Sequence, residues 1–234
     1  MTISGLQKMT LLDFPGKVAC TVFLQGCNYR CPFCHNSELL EGRGEPVMSR
    51  EEFLSFLKKR TGLLDGVCIS GGEPTLTVGL KDLIREIKAM GYAVKLDTNG
   101  SRPSVLKELV AENLLDYVAM DIKNSPSRYA VTCGVSKVDL AAIEESAAFL
   151  MSGAVDSEFR TTVVCPLHDV VSIAEMGQWL HNISGGKPVK KLFLQPFADR
   201  DTVVFSGLST PDSAQMAEFA ELLKGFVLEV STRG

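Results

Sequence analysis

The chain has 234 residues, 45% hydrophobic and 22% charged, an ordinary globular composition with room for one large core. Its 24 Lys and Arg against 28 Asp and Glu give a formal net charge of −4, and the basic residues are scattered, so the basic field that a nucleic-acid partner needs is missing. The opening stretch MTISGLQKMTLLDFPG lacks the pattern of an export signal, and no apolar run approaches the ~20 residues that span a bilayer, so a cytoplasmic protein with no membrane partner is expected.

From residue 18 onward, strand and helix patterns alternate. VACTVFLQ (18–25) reads as a strand, and Ser49 with Glu52 three residues later is a capping box that opens a helix over 49–60. VCIS (67–70) is the next strand, followed by a helix over 79–91 that closes at Gly91. AVKLDT (93–98), YVAMDI (117–122), EFRTTVV (158–164) and KLFLQPF (191–197) continue the strands, with helices over 103–113, 139–153, 169–182 and 210–225 between and after them. This alternation demands parallel strands joined by right-handed crossovers. The architecture is then either a doubly wound sheet or a barrel of βα units, and six such units favour an α/β fold that is a partial (β/α)6 TIM-like barrel, in one domain over 1–234. FVLEVS (226–231) fits either a seventh edge strand or a packed tail.

In parallel βα architectures the working residues collect at the carboxyl ends of the strands. Here those ends read Gln25-Gly26-Cys27, Ser70-Gly71-Gly72-Glu73-Pro74, Asp97-Thr98-Asn99-Gly100 and Asp121-Ile122-Lys123, while the fifth strand carries Arg160 and runs into Cys165-Pro166. Each alone is an ordinary turn or a solvated strand end. Their repetition on one rim is what a site requires. His168 and His181, at a helix start and a helix end, read as surface or capping residues.

Seven cysteines in a reducing compartment argue against a disulfide framework. Cys27, Cys31 and Cys34 form C-x3-C-x2-C on the loop after the first strand. Structural zinc takes four ligands, usually as two pairs, and no second pair exists. Three thiolates on a 4Fe-4S cluster leave one iron open to an exogenous ligand, the mark of a catalytic centre. Cys20, Cys68 and Cys165 fit small buried hydrophobes within strands, and Cys133 is unassigned.

CNYRCPFCHN, followed by Gly-Gly-Glu-Pro after the second strand, resembles the radical S-adenosylmethionine superfamily. LDFPGKVACTVFLQGC, CPFCHN, SGGEPTL, LDTNG and MDIK are most similar to the glycyl-radical-enzyme activating enzymes, in particular those of anaerobic ribonucleoside-triphosphate reductase. The resemblance implies a radical SAM core fold with one 4Fe-4S cluster on Cys27, Cys31 and Cys34, whose open iron chelates S-adenosylmethionine. Gly71, Gly72 and Glu73 would receive the methionyl amino group and Phe33 would pack near the adenine. Asp97, Thr98, Asp121 and Lys123 would line the cofactor and are candidates for a monovalent-cation site, and Arg160 would approach it from the fifth strand.

The implied reaction is reductive cleavage to a 5′-deoxyadenosyl radical that takes hydrogen from a glycine of a partner enzyme, with a low-potential donor such as flavodoxin or ferredoxin and no catalytic side chain beyond the cluster and cofactor. The alternatives are an activase of pyruvate formate-lyase or a related glycyl radical enzyme, a radical enzyme acting on a small molecule, and a non-catalytic electron-transfer or zinc-binding module, against which Gly-Gly-Glu and the strand-end rim count. The chain differs from several activases in having no cysteine-rich insertion between Cys34 and Gly71, and it reads QPFADRD (195–201) where some pyruvate formate-lyase activases carry a histidine. A Gly72→Val change is expected to place a side chain where the cofactor approaches backbone.

Overall fold

The computed structural model describes residues 1–40, 46–203 and 205–233. By its internal contacts the chain forms two compact units, one of residues 1–28 and 38–119, the other of residues 29–37 and 120–234. The strands follow chain order, β1 to β8.

In the first unit, β1 (Ile3–Thr10) pairs antiparallel with β2 (Ala19–Leu24), and β2, β3 (Gly66–Gly71) and β4 (Ala93–Thr98) pair in parallel. The helices are α1 (Arg50–Lys58), α2 (Leu80–Ala89) and α3 (Pro103–Ala111). Ser49 and Glu52 form the capping box at the start of α1. On α2 the buried residues Leu80, Leu83, Ile84 and Ile87 fall at the i, i+3, i+4, i+7 spacing of one apolar stripe. Its opposite face carries Lys81 and Arg85, which pair with Glu108 and Glu112, and Lys88, which pairs with Asp116. Val67, Cys68 and Ile69 of β3 are buried in succession, as a parallel strand covered on both faces requires.

The strand β5 (Tyr117–Asp121) begins in the first unit and ends in the second. The second unit continues with α4 (Tyr129–Thr132), α5 (Leu140–Met151), β6 (Ser157–Val163), α6 (Val170–Ile183), β7 (Val189–Pro196), α7 (Ser213–Leu223) and β8 (Val227–Thr232). Pairing is parallel from β6 to β7 and from β7 to β8.

The six strands expected from the pattern are β2 to β7. FVLEVS is a strand, β8. The leading strand β1 has no counterpart in the sequence reading, because only its end residues Ile3 and Thr10 are buried and the half-buried stretch between them carries no apolar alternation. Among the described residues, no helix is long and apolar enough to cross a membrane.

The end of β8 is fastened by charge. Glu158 on β6, 1% exposed, accepts from Arg233 Nη1 at 3.0 Å and Nη2 at 3.2 Å, and the guanidinium lies 3.3 Å from the centroid of the Phe193 ring. Arg233→Met would leave a carboxylate buried without its partner charge. Because the arginine is itself partly exposed, the loss is put at roughly 2–3 kcal/mol, below the range for a fully buried pair, and is read as a lower urea midpoint. An unchanged midpoint would show that the pair does not hold the strand.

Candidate functional site

The loop after β2, residues 25–37, carries the three clustered cysteines, and its start is pinned by backbone. In the first unit, Glu73 N–H donates to the Gly26 carbonyl at 2.8 Å and Gly72 N–H to the Leu24 carbonyl at 2.9 Å, while Gly26 N–H donates to Leu39 at 2.8 Å. The Gly71-Gly72 turn makes this approach possible. A Cβ on Gly72 would lie 2.1 Å from the Gly26 oxygen, and one on Gly71, whose φ is +119°, 2.2 Å from the Leu24 oxygen. The first obstacle to a side chain at Gly72 is therefore the backbone leading into Cys27. Gly72→Val disturbs that loop before it can touch a ligand, which revises the reason expected for its effect.

Glu73, 1% exposed, turns inward. Its Oε1 accepts from Thr75 N–H at 3.1 Å, Thr75 Oγ1 at 2.5 Å and Thr98 Oγ1 at 2.8 Å, and its Oε2 from Asn99 N–H at 2.6 Å. Burial pushes this carboxyl above the ordinary carboxylate range, against hydrogen bonds that favour its charge. In this arrangement it ties the end of β3 to the end of β4. Asn99 in turn donates from Nδ2 to Asn28 Oδ1 at 2.9 Å, one residue beyond Cys27. Asp97 accepts from Ser70 Oγ at 3.0 Å and from the ammonium of Lys95, a 1%-exposed strand lysine that also lies 3.8 Å from Cys68 Sγ.

In the second unit, Asp121 takes Lys123 Nζ at 2.9 Å and Arg160 Nε and Nη2 at 3.0 Å each. Burial alone would raise this carboxyl, but the Arg160 and Lys123 charges outweigh it and hold it down at about 2. The carboxylates of Asp97 and Asp121, expected to share in a monovalent-cation site, are thus each met by cations of the chain itself.

Cys31 and Cys34 belong to this unit and Cys27 to the first. Phe33, 5% exposed, packs with Val164 and Phe197, and Cys31, Leu167, Val203 and Leu208 pack against that cluster. The ring thus serves as an apolar anchor for the loop. His35 stacks on Phe197 with centroids 5.8 Å apart and makes a 2.7 Å hydrogen bond to the Ala198 carbonyl, so the segment after β7 holds the loop's far end. The middle of the loop is held by α4: Arg30 N–H donates to the Cys133 carbonyl at 2.8 Å. A Cβ on Gly134, φ +64°, would lie 2.0 Å from the Arg30 oxygen.

His168 is 3% exposed and not at the surface. Its Nδ1 accepts from Val164 N–H at 3.1 Å and its Nε2 lies 2.8 Å from the Lys123 carbonyl, so a neutral ring protonated at Nε2 satisfies both and braces the backbone of Lys123. Sequence reasoning also missed Lys95, Cys133 and Gly134. Only Lys95 left a local signal, as a lysine two residues before Asp97 and so on the same strand face.

Among the described residues, no group of three or more His, Cys, Asp or Glu side chains could hold a metal ion as it stands. The donor chemistry nevertheless suits an iron–sulfur cluster. All seven cysteines are thiols outside any disulfide; Cys27, Cys31 and Cys34 are partly exposed and Cys20, Cys68 and Cys133 are buried, while Cys165, expected as a buried strand residue, lies just past the end of β6 and is partly exposed. A hydrogen bond from Cys133, helped by the Lys123 charge against burial, lowers the Cys31 thiol to about 7, towards the thiolate that metals bind. Burial raises the Cys20 thiol to about 12, as suits a structural residue.

A model of the radical SAM superfamily matches residues 21–181. A protein of Methanocaldococcus jannaschii, provisionally named a glycyl-radical enzyme activating enzyme, is 31% identical over 242 residues, covering 99% of this chain and 95% of that one. The pyruvate formate-lyase-activating enzyme of Clostridium pasteurianum is 33% identical over 127 residues, 52% of either chain. Among solved structures, a domain of a pyruvate-formate lyase-activating enzyme from Bacteroides vulgatus matches with a TM-score of 0.58 at 20% identity, over 72% of this chain and 99% of that one. SuiB of Streptococcus suis matches with a TM-score of 0.69 at 13% identity, over 92% of this chain and 48% of that one. These two likenesses establish the fold, that of a partial TIM-like barrel.

Two predictions follow from this geometry. Gly134→Ala forces a left-handed conformation costing about 1–2 kcal/mol and pushes on the Arg30 carbonyl. It should lower both the unfolding midpoint and the iron incorporated per chain on anaerobic reconstitution, and wild-type iron content would show that α4 does not hold the loop. For His168, burial lowers the folded pKa, so the unfolded chain binds the proton first. The stabilisation is complete above the unfolded value of about 6.5 and is lost as pH falls from there through the lower folded value, at up to ~1.4 kcal/mol per pH unit. His168→Gln should flatten that slope in stability measurements from pH 7 to pH 5; an unaltered slope would assign it to other groups.

Proposed function

From the premise that the chain belongs to the radical SAM superfamily and, within it, to the glycyl-radical enzyme activating enzymes, we propose that it generates a glycyl radical on a partner protein, most specifically an anaerobic ribonucleoside-triphosphate reductase. Members of this superfamily use a 4Fe-4S cluster and S-adenosylmethionine. When bound, these would supply one-electron reductive cleavage chemistry able to remove a hydrogen atom from a glycine. A low-potential electron donor of the flavodoxin or ferredoxin class is part of the reading.

In this account the protein's own work is binding and positioning. Cys27, Cys31 and Cys34 would hold the cluster, and the loop that carries them is fixed by Gly72, Gly134, Phe33 and His35. Glu73, which takes the Thr98 hydroxyl, orders the turn after β3 and the start of the loop after β4, so that the Gly71-Gly72 turn and the Thr98 segment would border the methionyl part of the cofactor. Asp97 is presented on the same rim of the first unit. The Asp121, Lys123 and Arg160 triad supplies paired charges for a zwitterionic ligand in the second unit. No side chain needs to act as a general acid or base. The observation that carries the reading is the C-x3-C-x2-C loop, with one thiol drawn towards thiolate, in a chain that matches an activating enzyme over nearly its full length.

The test mixes reduced, reconstituted protein with S-adenosylmethionine and the reductase of the same source under anaerobic conditions and records electron paramagnetic resonance. A doublet that disappears when the reductase's radical-bearing glycine is replaced supports the proposal. Activation of pyruvate formate-lyase in place of the reductase would keep the activase reading and change the partner, and turnover of a free metabolite without a protein radical would overturn both. The ligand set has its own check. Cys27→Ser, Cys31→Ser and Cys34→Ser should each lose the cluster's visible absorbance, whereas Cys68→Ser, at a buried strand position, should keep it; retention in any of the first three removes that ligand.

A further inference from the structure

Asp97 is served by a lysine to which the reading above gives no task. Lys95 lies two residues earlier on β4, so both side chains project from the same face of the strand. It is 1% exposed, among the largest side chains that the fold encloses fully, and its register partner on β3 is the buried Cys68. From there its ammonium reaches along the strand to Asp97 Oδ1, with Cys68 Sγ at 3.8 Å. Ser70 Oγ donates to the other carboxylate oxygen, Oδ2, at 3.0 Å. The side chain of Asp97 itself is 15% exposed. The lysine is thus sealed inside the first unit while part of the aspartate it holds remains accessible.

A buried ion pair adds little stability that well-packed apolar side chains would not, because both charges lose their water. What it does supply is a carboxylate held in one orientation. Asp97 is one of the carboxylates expected in a monovalent-cation site, and its surroundings do not fit a free ion. One oxygen already meets a full positive charge within hydrogen-bond reach, and the other takes a hydroxyl donor. A second cation on the same carboxylate would face the like charge of the ammonium. We infer that Lys95 is the built-in counter-charge of Asp97: its ammonium, in place of a monovalent cation from solution, fixes this carboxylate where S-adenosylmethionine binds. Lys95 is thereby a positioning residue, acting on the cofactor only through Asp97. The inference rests on the reading that the rim of the first unit borders that cofactor.

The experiment measures the dissociation constant of S-adenosylmethionine on the reconstituted, cluster-loaded protein by anaerobic equilibrium dialysis. The buffer cation is sodium, potassium or tetramethylammonium, the last too bulky to settle against a half-buried carboxylate. The wild type should bind equally in all of them. Lys95→Met, a neutral side chain of similar length, should keep its cluster and bind roughly tenfold more weakly in tetramethylammonium, the scale on which groups that orient a ligand from behind act. Lys95→Ala should weaken binding likewise and recover when propylammonium is added, since the amine returns the lost charge to the vacated space; a loss through packing would not recover. Affinity that depends on the cation in the wild type would overturn the inference, and this arm decides even where a variant fails to fold. Unchanged affinity in Lys95→Met would overturn it, as would a loss in Lys95→Ala that propylammonium leaves in place. Failure of the underlying reading looks different: the wild type would not bind S-adenosylmethionine, or Asp97→Asn would bind it as the wild type does, and the inference would fall with it.

Discussion

The steric fact on which the rest depends is that the cysteine loop lies against backbone at points where no side chain fits. The Gly26 carbonyl meets the Gly71-Gly72 turn in the first unit, and the Arg30 carbonyl meets Gly134 in the second. A loop as rich in Cys, Asn and Pro as LQGCNYRCPFCHN has little secondary structure to hold it, since residues 25–36 contain no strand or helix. Its order comes from these close approaches and from two apolar anchors, Phe33 against Val164 and Phe197, and His35 stacked on Phe197. A cluster ligand set needs such order, because thiolates held in place lose less conformational freedom when they bind metal.

Charge is handled in the same local way. Each carboxylate at the strand ends is satisfied within its own unit: Glu73 by hydroxyl and amide donors, Asp97 by Ser70 and Lys95, Asp121 by Lys123 and Arg160. Burial would otherwise force these groups to neutralise or to draw in water. Paired as they are, they present fixed dipoles and balanced charges, which suits recognition of a zwitterionic amino acid moiety better than of a simple anion. The same environment bears on the thiols. Cys31, facing Cys133 and Lys123, is lowered, whereas burial raises Cys34, in line with different surroundings for two residues three positions apart.

The six central strands and most of their helices were legible in the sequence because the βα units repeat one pattern, a short β-branched run followed by a helical stretch, capped at Ser49 for α1. The strands that were not plain, β1 and β8, are those with few buried residues, for which alternation carries no signal. The cysteine triad and the Gly-Gly-Glu turn were legible because their spacing is chemical and local. Gly134, Cys133 and His168 were not, because each meets a residue far away in the chain, Arg30 for the first two and Lys123 for the third. A histidine at a helix start looks like a cap until the strand it braces is known. Phe33 shows the converse. Its place in the motif suggested a ligand contact, and its burial shows a packing role that the motif alone does not reveal.

The central claim is that three cysteines of this loop hold a cluster whose remaining iron is open to S-adenosylmethionine. Mössbauer spectroscopy of protein reconstituted with 57Fe, with and without S-adenosylmethionine, addresses it most directly. The account predicts that one iron of the four changes its isomer shift and quadrupole splitting when the cofactor is added while the other three stay as they were. Four irons that remain equivalent and indifferent to the cofactor would contradict it.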